Sequence, residues 1–140
     1  MYRLFTAMLL GISQVLFSQS NAYFLSHPTL TPDGQTVIFA FEGDLWKAAV
    51  SDGQASRLTA MQGYETSPRV SPDGKWIAFT GRQFGNADVF VMPVGGGEVQ
   101  QITYHSGNDE VTSWSWDSKY IYFNSNRMGQ VAGYKVSAAG

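Results

Sequence analysis

A nine-residue phrase that returns at a nearly fixed distance limits what this chain can become more than any other feature. Thr31-Pro32-Asp33-Gly34-Gln35-Thr36-Val37-Ile38-Phe39 comes back as Ser71-Pro72-Asp73-Gly74-Lys75-Trp76-Ile77-Ala78-Phe79. A degraded third copy reads Ser115-Trp116-Asp117-Ser118-Lys119-Tyr120-Ile121-Tyr122-Phe123. The aspartates at 33, 73 and 117 stand 40 and then 44 positions apart. A second landmark, Asp44-Leu45-Trp46-Lys47, matches Asp88-Val89-Phe90-Val91 and, less closely, Ala132-Gly133-Tyr134-Lys135, each step being 44 residues. Leu58-Thr59 recurs as Ile102-Thr103 at the same interval. Asp33 to Asp44 is 11 residues and Asp73 to Asp88 is 15, so the second unit is four longer, around Arg82 to Asn86. A hairpin loop tolerates such an insertion. A period of about 40–45 residues built from short strands predicts an all-β fold, a partial β-propeller.

Each unit reads as a four-stranded antiparallel blade. In the second, Pro68 to Ser71 is a short strand that runs into Pro72-Asp73-Gly74. That tripeptide turns the chain because proline presets φ, aspartate bonds its own backbone downstream, and glycine accepts positive φ. Lys75 to Thr80 is the next strand, apolar on both faces as a sheet inside a stack must be. Asp88 to Val94 follows, and Gly95-Gly96-Gly97 turns it into Glu98 to Thr103. The expected units are residues 27–59, 67–103 and 112–140, about three blades with the third incomplete, since the chain stops at the turn before that unit's last strand. Propellers usually have four to eight blades. The chain therefore reads as the N-terminal part of a longer protein, with the remaining blades of the same chain as its first partners.

Composition agrees and excludes much. Aromatic residues make up 14% and charged residues only 14%, with 15 glycines, a profile that favours strands over helices. A net charge of -2 leaves no basic excess for a phosphate backbone, so nucleic acid is not an expected partner. The absence of cysteine rules out a disulfide framework, a thiolate metal site and a cysteine nucleophile.

Residues 1–20 read as an address rather than as part of the fold. Arg3 is followed by the uncharged run Leu4 to Phe17, and Ser18-Gln19-Ser20 supplies the small residues that a signal peptidase inspects. Ser20-Asn21-Ala22 offers a second cleavage point. The apolar run is short for a bilayer span, and Ser13 and Gln14 interrupt it, so no stable membrane anchor is expected. The protein is expected to be exported, to the periplasm or the extracellular space, with residues 21–140 as the mature propeller segment. Losing Arg3 would leave 8 basic against 11 acidic residues, a charge of -3.

Residues with chemical potential are few. An Asp-Gly turn suggests calcium, but one carboxylate per turn falls short of the several oxygens a calcium loop supplies, and the turns read as structural. His105 and Ser106 are sequence neighbours without a Gly-x-Ser-x-Gly elbow or a positioned third member, so His105 reads as a loop residue. Asp109-Glu110 reads as a solvated acidic step. Trp46, Phe90 and Tyr134 recur once per unit and read as packing. Trp114 and Trp116, two apart on one expected strand, either pack between blades or line a surface for peptide or sugar. Catalytic, cofactor-binding and metal residues are each expected to be none, and no cofactor is implied.

The repeated Ser/Thr-Pro-Asp-Gly-Lys/Gln-x-Ile-x-Phe unit resembles the WD-like Pro-Asp repeat of TolB-type propellers. The longer run His27 to Trp46 is more particular. Together with Ser67 to Lys75, Phe84 to Pro93 and Ile102 to Ser106, it resembles the start of secreted tricorn-type serine peptidases. That resemblance covers residues 23–140 and implies a signal peptide followed directly by blades. It places a PDZ domain and a tail-specific-protease-like catalytic domain far downstream. None of the family's catalytic serine, histidine or acidic positions maps onto this chain. The third unit departs from the pattern, with Trp116 for the turn proline, Ser118 for the turn glycine and Ala132 for the hairpin aspartate. The resemblance implies a non-catalytic scaffold that gates peptide or protein substrates. The alternatives are a TolB-like periplasmic protein-binding propeller and the propeller of a prolyl-oligopeptidase-type enzyme. On the leader reading, N-terminal sequencing of the exported protein starts at Asn21 or Tyr23; retention of Met1 would overturn it.

Overall fold

The computed structural model describes residues 24–140; the leader expected over residues 1–20 lies outside them. Eleven strands follow one another without a helix among the described residues. The first blade is β1 (Ser26–Leu30), β2 (Thr36–Phe41), β3 (Asp44–Ala49) and β4 (Ala55–Arg57). The second is β5 (Glu65–Val70), β6 (Trp76–Gly81), β7 (Asp88–Pro93) and β8 (Gln100–Gln101). The third is β9 (Asp109–Trp114), β10 (Tyr120–Ser125) and β11 (Ala132–Ser137). Each blade is an antiparallel meander in sequence order, giving two four-stranded sheets and one of three strands. This is the all-β, partial-propeller architecture that the repeat implies.

The hairpins follow from local chemistry. In the β1–β2 turn the Thr31 hydroxyl donates to Asp33 Oδ1 at 2.6 Å and accepts the Thr36 N–H at 3.0 Å. Asp33 Oδ1 also accepts the Gln35 N–H at 3.0 Å, and Gly34 sits at φ 72°. Ser71 with Asp73 and Ser115 with Asp117 repeat the arrangement, the hydroxyls donating at 2.5 and 2.6 Å. The Ser/Thr at the head of the motif is thus as necessary as the aspartate. Ser118 stands at φ 60° where the other copies have glycine, a conformation that costs a non-glycine residue about 1–2 kcal/mol.

The length difference between units lies where the spacing puts it. Residues 42–43 alone join β2 to β3, with Glu42 and Gly43 at φ 51° and 89°, as a two-residue hairpin of primed type requires. Residues 82–87 join β6 to β7, and residues 126–131 join β10 to β11. Strand limits differ from the sequence reading by more than one residue at two places. β5 begins at Glu65 rather than near Pro68, through a bulge between Thr66 and Arg69 where Ser67 adopts φ 52°. β8 shrinks to Gln100–Gln101, because only Phe90 and Val91 pair with it.

Two apolar seams hold the blades together. Ile38, Ala40 and Leu45 of the first blade meet Ile77, Phe79, Phe90 and Met92 of the second. Ala78, Val89, Val91 and Ile102 turn the other way onto Val111, Trp114, Ile121 and Phe123. Alternate residues of β6 thus serve opposite seams, which is why its Trp-Ile-Ala-Phe run is apolar throughout. Fully burying a side chain such as Ile77 or Phe79 stabilises by about 1.5–3 kcal/mol. Strand β10, with no blade on its far side among the described residues, alternates exposed and buried along its length.

The crossovers between blades pack tightly. A Cβ on Gly63 would lie 2.7 Å from the Arg82 carbonyl oxygen, and Gly63 has φ 99°. Gly53, at φ 69°, has nothing within 4 Å. Gly53→Ala should therefore cost about 1–2 kcal/mol from backbone strain alone, and Gly63→Ala clearly more, because backbone must also move. Equal losses in chemical denaturation would contradict this account of the crossover.

Candidate functional site

Two features could do chemistry or binding: the Pro-Asp turns at one end of the blades, and the carboxylates buried at the seams near the other. The first strands of successive blades, β1, β5 and β9, are neighbours. The turns that follow them are therefore brought together. Asp33, Asp73 and Asp117 all have carboxyls held below the usual range, first by the hydroxyl bonds from Thr31, Ser71 and Ser115. They stay ionised at neutral pH. Pro32, Pro72, Asp73, Trp116, Asp117 and Ser118 line an open cleft of about 570 Å³ there.

The seam carboxylates form a repeated device. Thr59 accepts the Leu45 N–H at 2.8 Å and donates to Glu65 Oε2 at 2.8 Å. One period later Thr103 accepts the Val89 N–H at 2.9 Å and donates to Asp88 Oδ1 at 3.4 Å, with Asp109 close by. Glu65 and Asp109 are 44 apart, each the first residue of its blade and each buried. Their partners are also 44 apart but differ in charge. Gln83 donates to Glu65 Oε1 at 2.6 Å, whereas Arg127 pairs with Asp109 Oδ2 at 2.6 Å. Arg127 also lies over the Phe123 and Tyr134 rings, 5.1 and 4.9 Å from their centroids.

Burial pushes the Glu65 carboxyl up to about 7; the Thr59 hydroxyl opposes the shift and the nearby Asp44 charge adds to it. Asp44 itself is paired with Arg57 at 2.6 Å, so that cation is engaged by the neighbouring acid. Asp88 is raised by burial and by the charge of Asp109. Asp109 Oδ1 is buried without a hydrogen-bond partner. Among the described residues no group of three or more His, Asp or Glu side chains is arranged to hold a metal ion.

The residues singled out in the sequence fall as follows. Trp46, Phe90 and Tyr134 occupy matching places on β3, β7 and β11, each against an aromatic of the preceding strand at 5.7–5.8 Å. His105 is an exposed crossover residue whose Nδ1 accepts the Gly107 N–H at 3.0 Å. Asp109-Glu110 is not a solvated step: Asp109 opens β9 fully buried, because the crossover drives the blade's first residue into the seam. Only Glu110 is exposed, near Arg82 at 3.4 Å. Trp114 and Trp116 do not share a strand. Trp114 ends β9 and donates its indole N–H to the Arg69 carbonyl of the preceding blade at 2.8 Å, while Trp116 sits in the turn, 93% exposed. The seam acids escaped sequence reading although their 44-residue repeat was present in it.

Comparison with known proteins gives this architecture a family. The model of the tricorn protease N-terminal β-propeller domain matches residues 22–139, nearly the whole chain. The chain belongs to that family. Tricorn protease homolog 1 of Streptomyces coelicolor is 34% identical over 91 residues, covering 64% of this chain and 8% of that protein. The tricorn protease homolog of Saccharolobus solfataricus is 27% identical over 136 residues, covering 90% of this chain and 12% of the other. The tricorn-type segment thus spans about a tenth of those relatives. Crystal structures of the tricorn protease and of TolB from Acinetobacter baumannii superpose with TM-scores of 0.73 and 0.71. They are 23% and 25% identical to it, and each match covers 84% of this chain, against 13% and 31% of theirs.

For this tricorn-type propeller segment the Glu65 shift has a defined sign. A folded-state value of about 7 against an ordinary 4.5 means that ionising Glu65 opposes folding. Its contribution is fully present below about pH 4.5 and is lost as pH rises through about 7. The loss should be no more than about 3 kcal/mol. Asp88 adds a slope of the same sign. Glu65→Gln should flatten the fall in melting temperature between pH 4.5 and 7; a slope unchanged in that variant would refute the assignment.

Proposed function

We propose that this segment is the leading part of an exported tricorn-type serine peptidase, in which it is a non-catalytic scaffold that gates or docks peptide substrates. The observation that carries the reading is the family match over residues 22–139. Rigid blades that enclose a channel and present loops at either rim suit that role. The neighbouring inner strands β1, β5 and β9 support it, since they would form one side of such a channel. The open face of β10 suits a further blade of the same chain. Export rests on the leader-like order of residues 1–20. Among the described residues no helix is long and apolar enough to cross a membrane.

The likeness to TolB favours a second reading, in which the propeller is itself a periplasmic protein-binding surface without an enzyme. The two superpositions are nearly equal. The fold therefore does not choose between them, and the family match supports the first.

Treating the full-length protein with a fluorophosphonate serine probe and assaying a peptide mixture tests the proposal. The expected result is hydrolysis, with the labelled serine outside residues 1–140. Absence of both label and hydrolysis would overturn the peptidase reading and leave the binding-protein one.

A further inference from the structure

The cleft where the Pro-Asp turns converge has properties that blade packing does not require. Its lining of Pro32, Pro72, Asp73, Trp116, Asp117 and Ser118 combines three apolar or aromatic side chains with two carboxylates and no cation. Trp116 stands where the earlier copies have proline, is 93% exposed, and makes no ring or cation contact among the described residues. The carboxylates are held but not neutralised. Each uses Oδ1 within its own turn, accepting the hydroxyl and a backbone N–H. Asp73 Oδ2 has no hydrogen-bond partner, and Asp117 Oδ2 meets only the exposed Lys119 ammonium at 3.9 Å. Such an exposed pair is worth little and yields readily to a better one. Lys75, whose charge acts on Asp73, is likewise exposed and outside the lining.

The walls are also fixed in advance. The Ser118 hydroxyl accepts the Asp73 N–H at 3.1 Å, tying the second turn to the third, so little ordering is left to be done on binding. An exposed indole beside two ionised carboxylates is complementary to a cation that is flat, weakly hydrated and able to stack. That description fits a guanidinium.

We propose that this cleft docks an arginine side chain of an extended peptide, with the Trp116 ring as platform and Asp73 and Asp117 as counter-charges. The inference rests on the docking role proposed above, naming the chemical class that the docking surface accepts. It is tested by binding alone, so its failure is separate from that of the peptidase reading.

The probe is acetyl-Gly-Gly-Arg-Gly-Gly-amide against its citrulline counterpart, which keeps the shape and removes the charge. Both are titrated calorimetrically into the full-length protein after its serine has been blocked. The arginine peptide should bind at least tenfold more tightly, and raised salt should narrow the gap. Trp116→Ala should abolish the preference, Trp116→Phe should keep part of it, and Asp117→Asn should weaken it several-fold. Because Trp116 is almost wholly in water, the two Trp116 variants should keep the parent melting temperature. Equal binding of the two peptides, no binding of the arginine peptide, or a preference undiminished in Trp116→Ala would each overturn the proposal. A preference that disappears in Trp116→Ala in a protein that hydrolyses nothing would keep this inference while sinking the peptidase reading.

Discussion

Contact between sheets that have no core of their own is the constraint from which the rest of this structure follows. A blade is one sheet thick, so its apolar side chains can leave water only against another blade. Strand β6 states the requirement most clearly, with Ile77 and Phe79 committed to the first seam and Ala78 to the second. Because each blade must offer matching faces to its neighbours, the sequence has to repeat. The 44-residue period is thus a consequence of packing, and the turns and hairpins are the means of keeping the faces in register.

The seams also carry acids, which packing alone would not choose. The crossover from the outer strand of one blade to the inner strand of the next delivers Glu65 and Asp109 into them. A buried carboxylate needs donors or a cation. The longer β6–β7 and β10–β11 loops supply these as Gln83 and Arg127, at equivalent positions. The first blade confirms the logic from the other direction. Leu25 stands 40 residues before Glu65, and the β2–β3 turn has only Glu42, which is exposed, and Gly43, so no donor side chain is supplied there. The four-residue insertion therefore does more than lengthen a loop. It goes with the acid.

Much of this was legible in the sequence, and what was not has physical causes. The Asp-Gly turns, the position of the insertion and the aromatic ladder are local patterns, fixed by backbone conformation and strand alternation. The crossovers carry no motif, and their side chains take their environment from another blade. Asp109-Glu110 looks like a solvated step because two adjacent acids usually are; burial of the first is set by Arg127 and the seam, far away in sequence. Trp114 and Trp116 misled for a related reason. The strand ends at Trp114, and the turn hydrogen bonds of Ser115 put Trp116 outside the sheet.

The departures from the repeat are concentrated in the third unit, and two of them act together. Ser118 accepts the cost of positive φ where glycine would be free, and its hydroxyl offsets that cost by accepting the Asp73 N–H of the neighbouring turn. A glycine there could turn the chain but could not join two blades. Trp116, two residues earlier, exchanges a proline that would stiffen the turn for an indole that packs on nothing among the described residues. The lost stiffness is recovered by the Ser118 bond, so the turn holds its shape with a large aromatic surface facing water. Local rules that are broken with a compensation beside them mark positions where something other than folding sets the residue. Ala132 is different. It removes the acid found at Asp44 and Asp88 and puts nothing in its place. The neighbouring Arg127 pairs with Asp109 and lies over the two aromatic rings, and its charge reaches Asp88 of the preceding blade as well.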